Sequence, residues 1–341
     1  MNLKDIKYLK LGLTNYCNSA CLTCWHSNSN KHTCTHLDEG IYSQIRKEVF
    51  PTIKILDLLS GGEVFLYKGI DRVLADIQDF KFKTIIESNF SVLTDRHRQI
   101  LKNLDVEFVV SLDGSSREMQ EFLRPQCHFD TVVGNIKYFT RQGKRVTIRM
   151  TVSNHNFYDM KNMLRLAETL GVEGVKFHGV QYLPCLEPPL KFSKPPEDME
   201  FVKEIMGQKY KVLYDFFLDF YRRNFFTISP MRGTFCILDP ITATGAGFWV
   251  KIENILAMCL RKECCPIARE FIRVDIDGNL YFCSVHGLKS IGNLNQHSLK
   301  DIIENKEYDA TRKKCSCAIS KRYTRGNKGN QNVASGSHKQ M

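Results

Sequence analysis

The sequence lacks any apolar run long enough to cross a lipid bilayer. Its first residues, Met1 to Asp5, also lack the apolar core and the cleavage site of a secretory signal peptide. These two absences exclude an integral membrane protein and a classically secreted one. We therefore expect a cytoplasmic protein that has no membrane partner.

Acidic residues are missing from Ala310 to Met341, where eight Lys or Arg residues lie. Most of the net charge of +11 therefore belongs to the C-terminal tail and not to the folded body. A basic tail on a nearly neutral body argues against nucleic acid as a partner. From about Ser320 onward the tail is polar and has little to bury, so we predict that it is disordered.

Cysteine, in contrast, is abundant, with thirteen residues in the chain. In a cytoplasmic protein this number favours metal ligation over disulfides. Cys17, Cys21 and Cys24 have C-x₃-C-x₂-C spacing and directly follow an apolar run that predicts a strand. Three thiolates are one short of the usual set for an iron–sulfur cluster, so one iron would stay open to another ligand. The alternative is a zinc site completed by Cys34 or His26.

Short apolar segments alternate with amphipathic ones through the first half of the chain. This alternation predicts a (β/α)₆ partial TIM barrel with right-handed crossovers, although a doubly wound sheet would show the same pattern. The predicted strands are Tyr8–Leu13, Ile53–Leu59, Thr84–Glu87, Glu107–Leu112, Arg145–Val152 and Gly174–Gly179. The predicted helices are Glu39–Phe50, Gly69–Phe80, Asp95–Leu104, Phe129–Gln142 and Phe157–Leu170.

The three cysteines resemble the signature of radical S-adenosylmethionine (SAM) enzymes, C-x₃-C-x-φ-C, in which φ is usually aromatic. Thr23 occupies the φ position here. The resemblance implies that Cys17, Cys21 and Cys24 hold a [4Fe–4S] cluster whose open iron binds SAM. It also implies a flavodoxin, ferredoxin or other reductase as electron donor and a 5′-deoxyadenosyl radical as the reactive species.

Two further segments follow the second and third predicted strands. Gly61, Gly62 and Glu63 resemble the GGE motif of the family, which implies a contact with the amino group of SAM. Glycines there allow the backbone to approach a ligand closely. Asn89 matches a diverged form of the family's Thr-Asn-Gly segment, in which Phe90 has replaced the glycine.

Residues after the fourth strand extend the resemblance. Ser111 and Asp113, in the segment Ser-Leu-Asp-Gly, match positions that contact the carboxylate and ribose of SAM in related enzymes. Arg124 matches an arginine that reaches the SAM carboxylate, or it is a solvated helix end. Arg149 lies within a predicted strand and either forms a structural ion pair or holds an anionic group in the barrel lumen.

A second group of cysteines accompanies a predicted β-hairpin around Asp277-Gly278-Asn279. A helix is expected to begin after Ser298. This region resembles the SPASM or twitch extension of radical SAM enzymes, because Gly278 to Cys283 matches the G-x₄-C pattern. The resemblance implies an auxiliary [4Fe–4S] cluster on Cys265, Cys283, Cys315 and Cys317. Cys259 or Cys264 could replace Cys265, and a structural zinc site is the alternative.

The predicted organisation has four parts. A barrel core covers 1–183, a linker and helical segment 184–258, an auxiliary cluster domain 259–319, and the basic tail 320–341.

The resemblance implies hydrogen abstraction from a small sugar, nucleoside or natural-product intermediate or from a ribosomal peptide. The outcome would be oxidation, epimerisation or cross-linking, with Cys236 or Cys185 as candidate hydrogen-atom donors for an epimerisation. The chain begins almost directly at the first strand, so we expect no N-terminal leader-peptide domain, which slightly favours a small molecule. The alternative function is a non-catalytic zinc or iron–sulfur protein that binds nucleic acid through its tail.

Overall fold

The computed structural model describes residues 2–24, 34–59, 61–153, 155–179, 270–282 and 290–305, and the strand backbones of 225–228 and 235–236. Within these ranges no helix combines the length and the apolarity needed to span a membrane. The predictions for Cys185, Cys265, Cys283, Cys315 and Cys317 fall outside the described residues, as do most of the predicted linker and the tail.

Six parallel strands form the centre of the fold, each paired with the next one along the chain. This arrangement confirms the predicted (β/α)₆ partial barrel. The strands are β1 Tyr8–Leu11, β2 Ile55–Leu58, β3 Lys83–Ser88, β4 Val106–Ser111, β5 Arg145–Val152 and β6 Gly174–Gly179.

Helices connect these strands, and three of the helices begin at a side-chain cap. Asp38 accepts hydrogen bonds from the amides of Gly40 and Ile41, and Thr94 and Ser116 cap the helices that follow them. Gly171, with a φ of 65°, ends the helix before β6 in the left-handed conformation that favours glycine. The helices are α1 Glu39–Glu48, α2 Ile70–Gln78, α3 Asp95–Asn103, α4 Arg117–Leu123, α5 Phe129–Arg141 and α6 Met160–Leu170. The sequence pattern missed α4, because it is only seven residues long.

The predicted C-terminal hairpin is confirmed, and it extends the barrel sheet. Strand β9 (Phe271–Val274) pairs parallel to β1, and β10 (Asn279–Tyr281) pairs antiparallel to β9. Gly278 makes the turn with a φ of 79°. Strand β11 (Gly292–Asn293) follows, and α7 (Leu299–Glu304) begins after its cap Ser298.

At the other edge, β7 (Phe225–Ile228) and β8 (Phe235–Cys236) add antiparallel strands beyond β6. Cys236, a candidate hydrogen-atom donor, lies on β8. The complete order is β11-β10-β9-β1-β2-β3-β4-β5-β6-β7-β8.

The two faces of the central strands carry different side chains, because successive residues of a strand point to opposite sides. The outer face packs under the helices in one apolar cluster that includes Leu11, Phe108 and Ile148. The inner face carries a group of charged residues that we call the inner charged layer. Its members are Lys10, Asp57, Glu87, Arg149 and Lys176.

Candidate iron–sulfur and cofactor site

The three N-terminal cysteines lie on the segment that follows β1, which we call the cysteine loop (residues 14–24). Cys21 is buried and Cys17 and Cys24 are half-buried, and none of the three forms a disulfide. The Cys24 amide donates to the Cys21 carbonyl at 3.1 Å, which turns the chain between the second and third cysteines. The loop therefore presents its thiols at the carboxyl end of the first barrel strand, where barrel enzymes place their chemistry.

The segment after β2 touches the cysteine loop directly, through backbone hydrogen bonds. The Gly62 amide donates to the Thr14 carbonyl at 2.9 Å, and the Glu63 amide donates to the Tyr16 carbonyl at 2.8 Å. A Cβ atom on Gly62 would lie only 2.0 Å from the Tyr16 carbonyl oxygen. Glycine is therefore required at position 62 by the close approach of two backbones. Gly61 is exposed.

Glu63 is buried, and its carboxylate organises the segment after β3. It accepts hydrogen bonds from the Ser88 hydroxyl at 2.7 Å, the Asn89 amide at 2.7 Å and the Phe65 amide at 3.3 Å. Burial raises the pKa of Glu63, and these donors oppose the rise. A carboxylate has about four lone-pair sites, so one remains for the ammonium group that the GGE resemblance implies.

Asn89 lies between the cysteine loop and the loop after β3. Its side-chain amide donates to Asn18 Oδ1 at 3.0 Å and lies 4.0 Å from the Cys17 sulfur. Its carbonyl oxygen accepts from the Ser91 amide and hydroxyl. Asn89 therefore fixes the orientation of the loop near Cys17.

Phe90, where the family segment has glycine, keeps the backbone conformation that favours glycine, with a φ of 57°. The Ser88 hydroxyl accepts from its amide, and Asn135 donates to its carbonyl at 2.8 Å. Its ring is fully buried and contacts Phe108 and Phe139. Ring packing in the core therefore offsets the strain of a side chain at this position.

Asp113 and Arg124 form a buried ion pair beside Cys21. The Arg124 Nε atom lies 2.6 Å from Asp113 Oδ2, and the Arg124 Nη1 atom lies 3.6 Å from the Cys21 sulfur. Asp113 Oδ1 accepts from the Thr151 amide at 2.6 Å. The solvated-helix-end alternative for Arg124 is wrong, because its side chain is only 13% exposed and points inward.

Arg149 pairs with Glu87 on the inner face, which confirms the ion-pair alternative for this residue. Its Nε atom is buried without a hydrogen-bond partner among the described residues. Contact with an anionic group of the cofactor stays a prediction. Ser111 is half-buried at the end of β4, and its predicted contact with SAM stays a prediction too.

Several residues that the sequence did not single out complete the site. Ser19 lies between two cysteines and contacts the Cys21 sulfur at 3.1 Å. Gln120 on α4 accepts from the amides of Asp113 and Gly114, and Asn156 donates to the Asp113 carbonyl at 2.8 Å. None of these residues forms part of a recognisable spacing, because each acts across a tertiary contact.

The chemistry of the cysteine loop fits an iron–sulfur cluster. Burial raises the pKa of the Cys17 thiol to about 12 and also raises that of Cys21, so a metal must displace their protons on binding. In the parts of the chain that the structure describes, no three Cys, His, Asp or Glu side chains meet at a single metal ion. A [4Fe–4S] cluster instead takes one thiolate on each iron. Nitrogen and oxygen donors near Cys17 and Cys21 are of the kind that hydrogen-bond to cluster sulfurs.

Comparison with known protein families gives two matches. Residues 11–167 match the radical SAM superfamily, and residues 264–325 match SPASM, an iron–sulfur cluster-binding domain. An uncharacterised protein of Archaeoglobus fulgidus is 24% identical over 160 residues, covering 47% of this chain and 38% of that protein. A probable GTP 3′,8-cyclase of Methanocaldococcus jannaschii is 25% identical over 192 residues, covering 54% of this chain and 61% of that protein. The matched part of this chain thus spans less than two thirds of these relatives.

Among solved structures, SuiB of Streptococcus suis bound to S-adenosylmethionine has a TM-score of 0.62. The alignment covers 93% of this chain and 71% of SuiB at 15% identity. A structure of SuiB bound to precursor peptide SuiA has a TM-score of 0.61 at 14% identity, covering 90% of this chain and 66% of SuiB. Likeness at this identity shows a shared fold.

The two domain matches agree with the cysteine loop and the hairpin described above. They imply a [4Fe–4S] cluster with SAM in the barrel and an auxiliary cluster in the C-terminal part. The chain thus carries a radical SAM domain at residues 11–167 and a C-terminal SPASM domain at residues 264–325.

Proposed function

We propose that this protein cleaves SAM reductively and abstracts a hydrogen atom from an organic substrate. The observation that carries the proposal is the cysteine loop, which carries three cysteines outside any disulfide and contacts the backbone of Gly62 and the Asp113–Arg124 pair. When bound, the cluster supplies the electron for cofactor cleavage, and SAM supplies the 5′-deoxyadenosyl radical. The chain itself contributes positioning and the exclusion of water.

The residues around the loop have separate parts in holding the cofactor. Glu63 keeps one lone-pair site for the ammonium group of SAM while its other sites hold the segment after β3. Ser111 and Arg124 are the proposed partners of the SAM carboxylate, from the end of β4 and the end of α4. Only two of the five N–H groups of the Arg124 guanidinium have partners in the Asp113 and Cys21 contacts, which leaves donors for a carboxylate.

Two similarities support different substrate classes. The barrel sequence is similar to a probable GTP 3′,8-cyclase, which supports a nucleotide or another small molecule. The fold over 93% of the chain is similar to that of SuiB, for which a complex with a precursor peptide is known, and this supports a ribosomal peptide. We propose a substrate from one of these two classes, with an electron donor of the flavodoxin or ferredoxin type.

The first test is anaerobic reconstitution with iron and sulfide, followed by dithionite and SAM, with 5′-deoxyadenosine as the product measured. We expect product from the wild type and none from the variant Cys17→Ala/Cys21→Ala/Cys24→Ala. Cys34→Ala is the matched control, because this exposed cysteine does not belong to the loop. Product from the triple variant, or a protein that binds zinc and makes no product, would refute the proposal. The second result would favour the zinc or nucleic-acid alternative.

The second test identifies the substrate class. Deuterated GTP is the small-molecule probe, and the peptide probe is a deuterated precursor peptide encoded beside this gene. Transfer of deuterium into 5′-deoxyadenosine from one probe assigns that class, because only the hydrogen donor can label the product. Absence of transfer from both probes, with cofactor cleavage intact, would refute GTP and this peptide as substrates and leave the radical mechanism standing.

A further inference from the structure

We propose that Arg124 sets the reduction potential of the cluster on the cysteine loop through a hydrogen bond to the Cys21 sulfur, and that Asp113 positions it. This role is separate from a contact between Arg124 and SAM. It rests on the proposed function only in requiring that the loop binds a cluster.

The position of Arg124 is fixed by contacts from three parts of the barrel. Its amide donates to the Gln120 carbonyl at the end of α4, and its Nε atom bonds to Asp113 Oδ2 at 2.6 Å. Asp113 in turn accepts from the Thr151 amide at 2.6 Å, and Asn156 donates to its carbonyl. With these contacts made, the Nη1 atom lies 3.6 Å from the Cys21 sulfur. The guanidinium is therefore aimed at the sulfur by buried partners and has little freedom to turn away.

Ser19 is also near Cys21, but it cannot replace Arg124 as a donor to the sulfur. Ser19 has one hydroxyl proton, and its oxygen lies 2.7 Å from the Pro125 carbonyl and 3.1 Å from the Cys21 sulfur. In the free thiol, the S–H group can donate to Ser19 while Ser19 donates to Pro125. A cysteine bound to iron has lost that proton, so Ser19 must give up Pro125 to donate to the sulfur. Arg124 donates to the sulfur without giving up another bond.

The direction of the effect follows from charge. A reduced cluster carries one more negative charge than an oxidised cluster, and a buried cation beside a ligand sulfur stabilises the more negative state. Asp113 opposes this effect, but it lies behind Arg124, whose guanidinium is between the carboxylate and the sulfur. Arg124 should therefore raise the reduction potential and make the cluster easier to reduce.

The test is a redox titration of the reconstituted protein without SAM, monitored by electron paramagnetic resonance. In Arg124→Gln we expect the ratio of reduced to oxidised cluster at a fixed potential to fall about tenfold, a shift of about 59 mV for one electron. Arg124→Lys keeps the charge but not the fork of donors. The reduction potential of its cluster should therefore lie between that of the wild type and that of Arg124→Gln. Arg117→Gln is the control, because Arg117 is the first residue of the helix that Arg124 follows, but it is exposed and pairs with Asp130.

A potential in Arg124→Gln equal to that of the wild type and of Arg117→Gln would overturn the inference. Arg124→Gln leaves the Asp113 carboxylate without its cation, and this variant could fail to hold a cluster for that reason alone. In that case the redox titration is made on Asp113→Asn/Arg124→Gln, which lacks both charges. An unchanged or higher potential in that double variant would overturn the inference. SAM binding measured on each variant separates this role from a cofactor contact, because loss of binding does not move the potential of the cofactor-free cluster. Failure of the wild type to bind any cluster would instead refute the proposed function.

Discussion

The two faces of the barrel sheet carry different kinds of side chain, apolar on the outer face and charged on the inner face. On the outer face, Leu58, Phe108 and Val110 pack against the helices without a charged residue among them. On the inner face, charged side chains from β1, β2, β3, β5 and β6 contact or influence one another. The outer face stabilises the fold through apolar burial, whereas the inner face depends on pairing of charges in a poorly solvated space.

The pKa values of the inner charged layer show how closely its members interact. Burial raises the pKa of Asp57, although Lys10 opposes the rise from 3.4 Å away. Burial would also raise the pKa of Glu87, but Arg149 and Lys10 together lower it below its ordinary value. Two carboxylates on neighbouring strands are thus shifted in opposite directions by the number of cations that each one contacts.

The largest effect should come from the outer face. Phe108→Ala removes a ring that is almost fully buried and that contacts Phe90 and Phe139, with centroids 5.1 and 4.6 Å away. We expect a loss of about 3–5 kcal/mol in the free energy of unfolding, measured by urea denaturation. Phe122→Ala, at a ring that is 53% exposed, is the control and should change stability by less than about 0.5 kcal/mol. Similar losses in both variants would contradict the importance of burial.

The next effect tests charge pairing on the inner face. Glu87→Gln removes the carboxylate that pairs with Arg149 and with Lys10, and we expect a loss of about 3 kcal/mol because two buried cations lose a partner. Glu87→Leu/Arg149→Met removes both charges and should recover most of that loss. A double variant that is less stable than Glu87→Gln would contradict this. It would show that the loss of stability comes from losing the ion pair itself and not from leaving a buried cation without a partner. Cofactor cleavage by the double variant also tests whether Arg149 holds SAM.

The sequence predicted the outer face and the cysteine loop more fully than the inner face. All six parallel strands, the C-terminal hairpin and the cap Ser298 lie where short apolar runs and turn residues indicated. Of the inner charged layer, only Arg149 could be singled out from the sequence. The other four members are isolated charged residues on separate strands, and no local pattern connects them. Their grouping depends on strand register, which places Lys10 beside Asp57 and Arg149 beside Lys176.

The motif residues show a similar limit. The resemblance of Gly62, Glu63 and Asp113 to family motifs implied a cofactor site, but not that most of their hydrogen bonds go to the protein itself. Gly62 is needed for the close approach of the Tyr16 carbonyl, which only the folded chain reveals. Sequence motifs therefore indicate where the candidate cofactor site lies. Tertiary contacts determine which of its residues hydrogen-bond to the protein and which are left to bind a ligand.

A smaller effect should appear in the pH dependence of stability. Burial and the neighbouring Arg149 lower the pKa of Lys176 from 10.5 to about 7. The unfolded chain therefore binds this proton more tightly between these values, and stability should rise with pH across that window by up to about 1.4 kcal/mol per pH unit. Lys176→Met should remove this contribution, seen as a wild-type-minus-variant difference in urea denaturation that changes between pH 7 and pH 9. Lys102→Met, at an exposed residue of α3, is the control for the loss of a lysine side chain.

The smallest effect should come from removing a Tyr–Asp hydrogen bond, which occurs once on the inner face and once beneath the helices. Tyr8 donates to Asp57 on the inner face, and Tyr42 donates to Asp76 beneath the helices, both at 2.9 Å. Asp76 also pairs with Arg46 at 2.7 Å, so Tyr42→Phe leaves a carboxylate that still has a close cation. Asp57 is fully buried, has Lys10 at 3.4 Å, and has one oxygen without a hydrogen-bond partner among the described residues.

Tyr8→Phe should therefore destabilise the protein by about 1–2 kcal/mol, more than Tyr42→Phe does. Urea denaturation of the two variants at neutral pH measures the difference directly, because each substitution removes one hydroxyl and no other atom. Equal losses would mean that water or another group already supports Asp57, and that the inner face is better solvated than its burial indicates. A larger loss in Tyr42→Phe would reverse the comparison between the two faces, since the apolar side would then be the one that depends on its polar contacts.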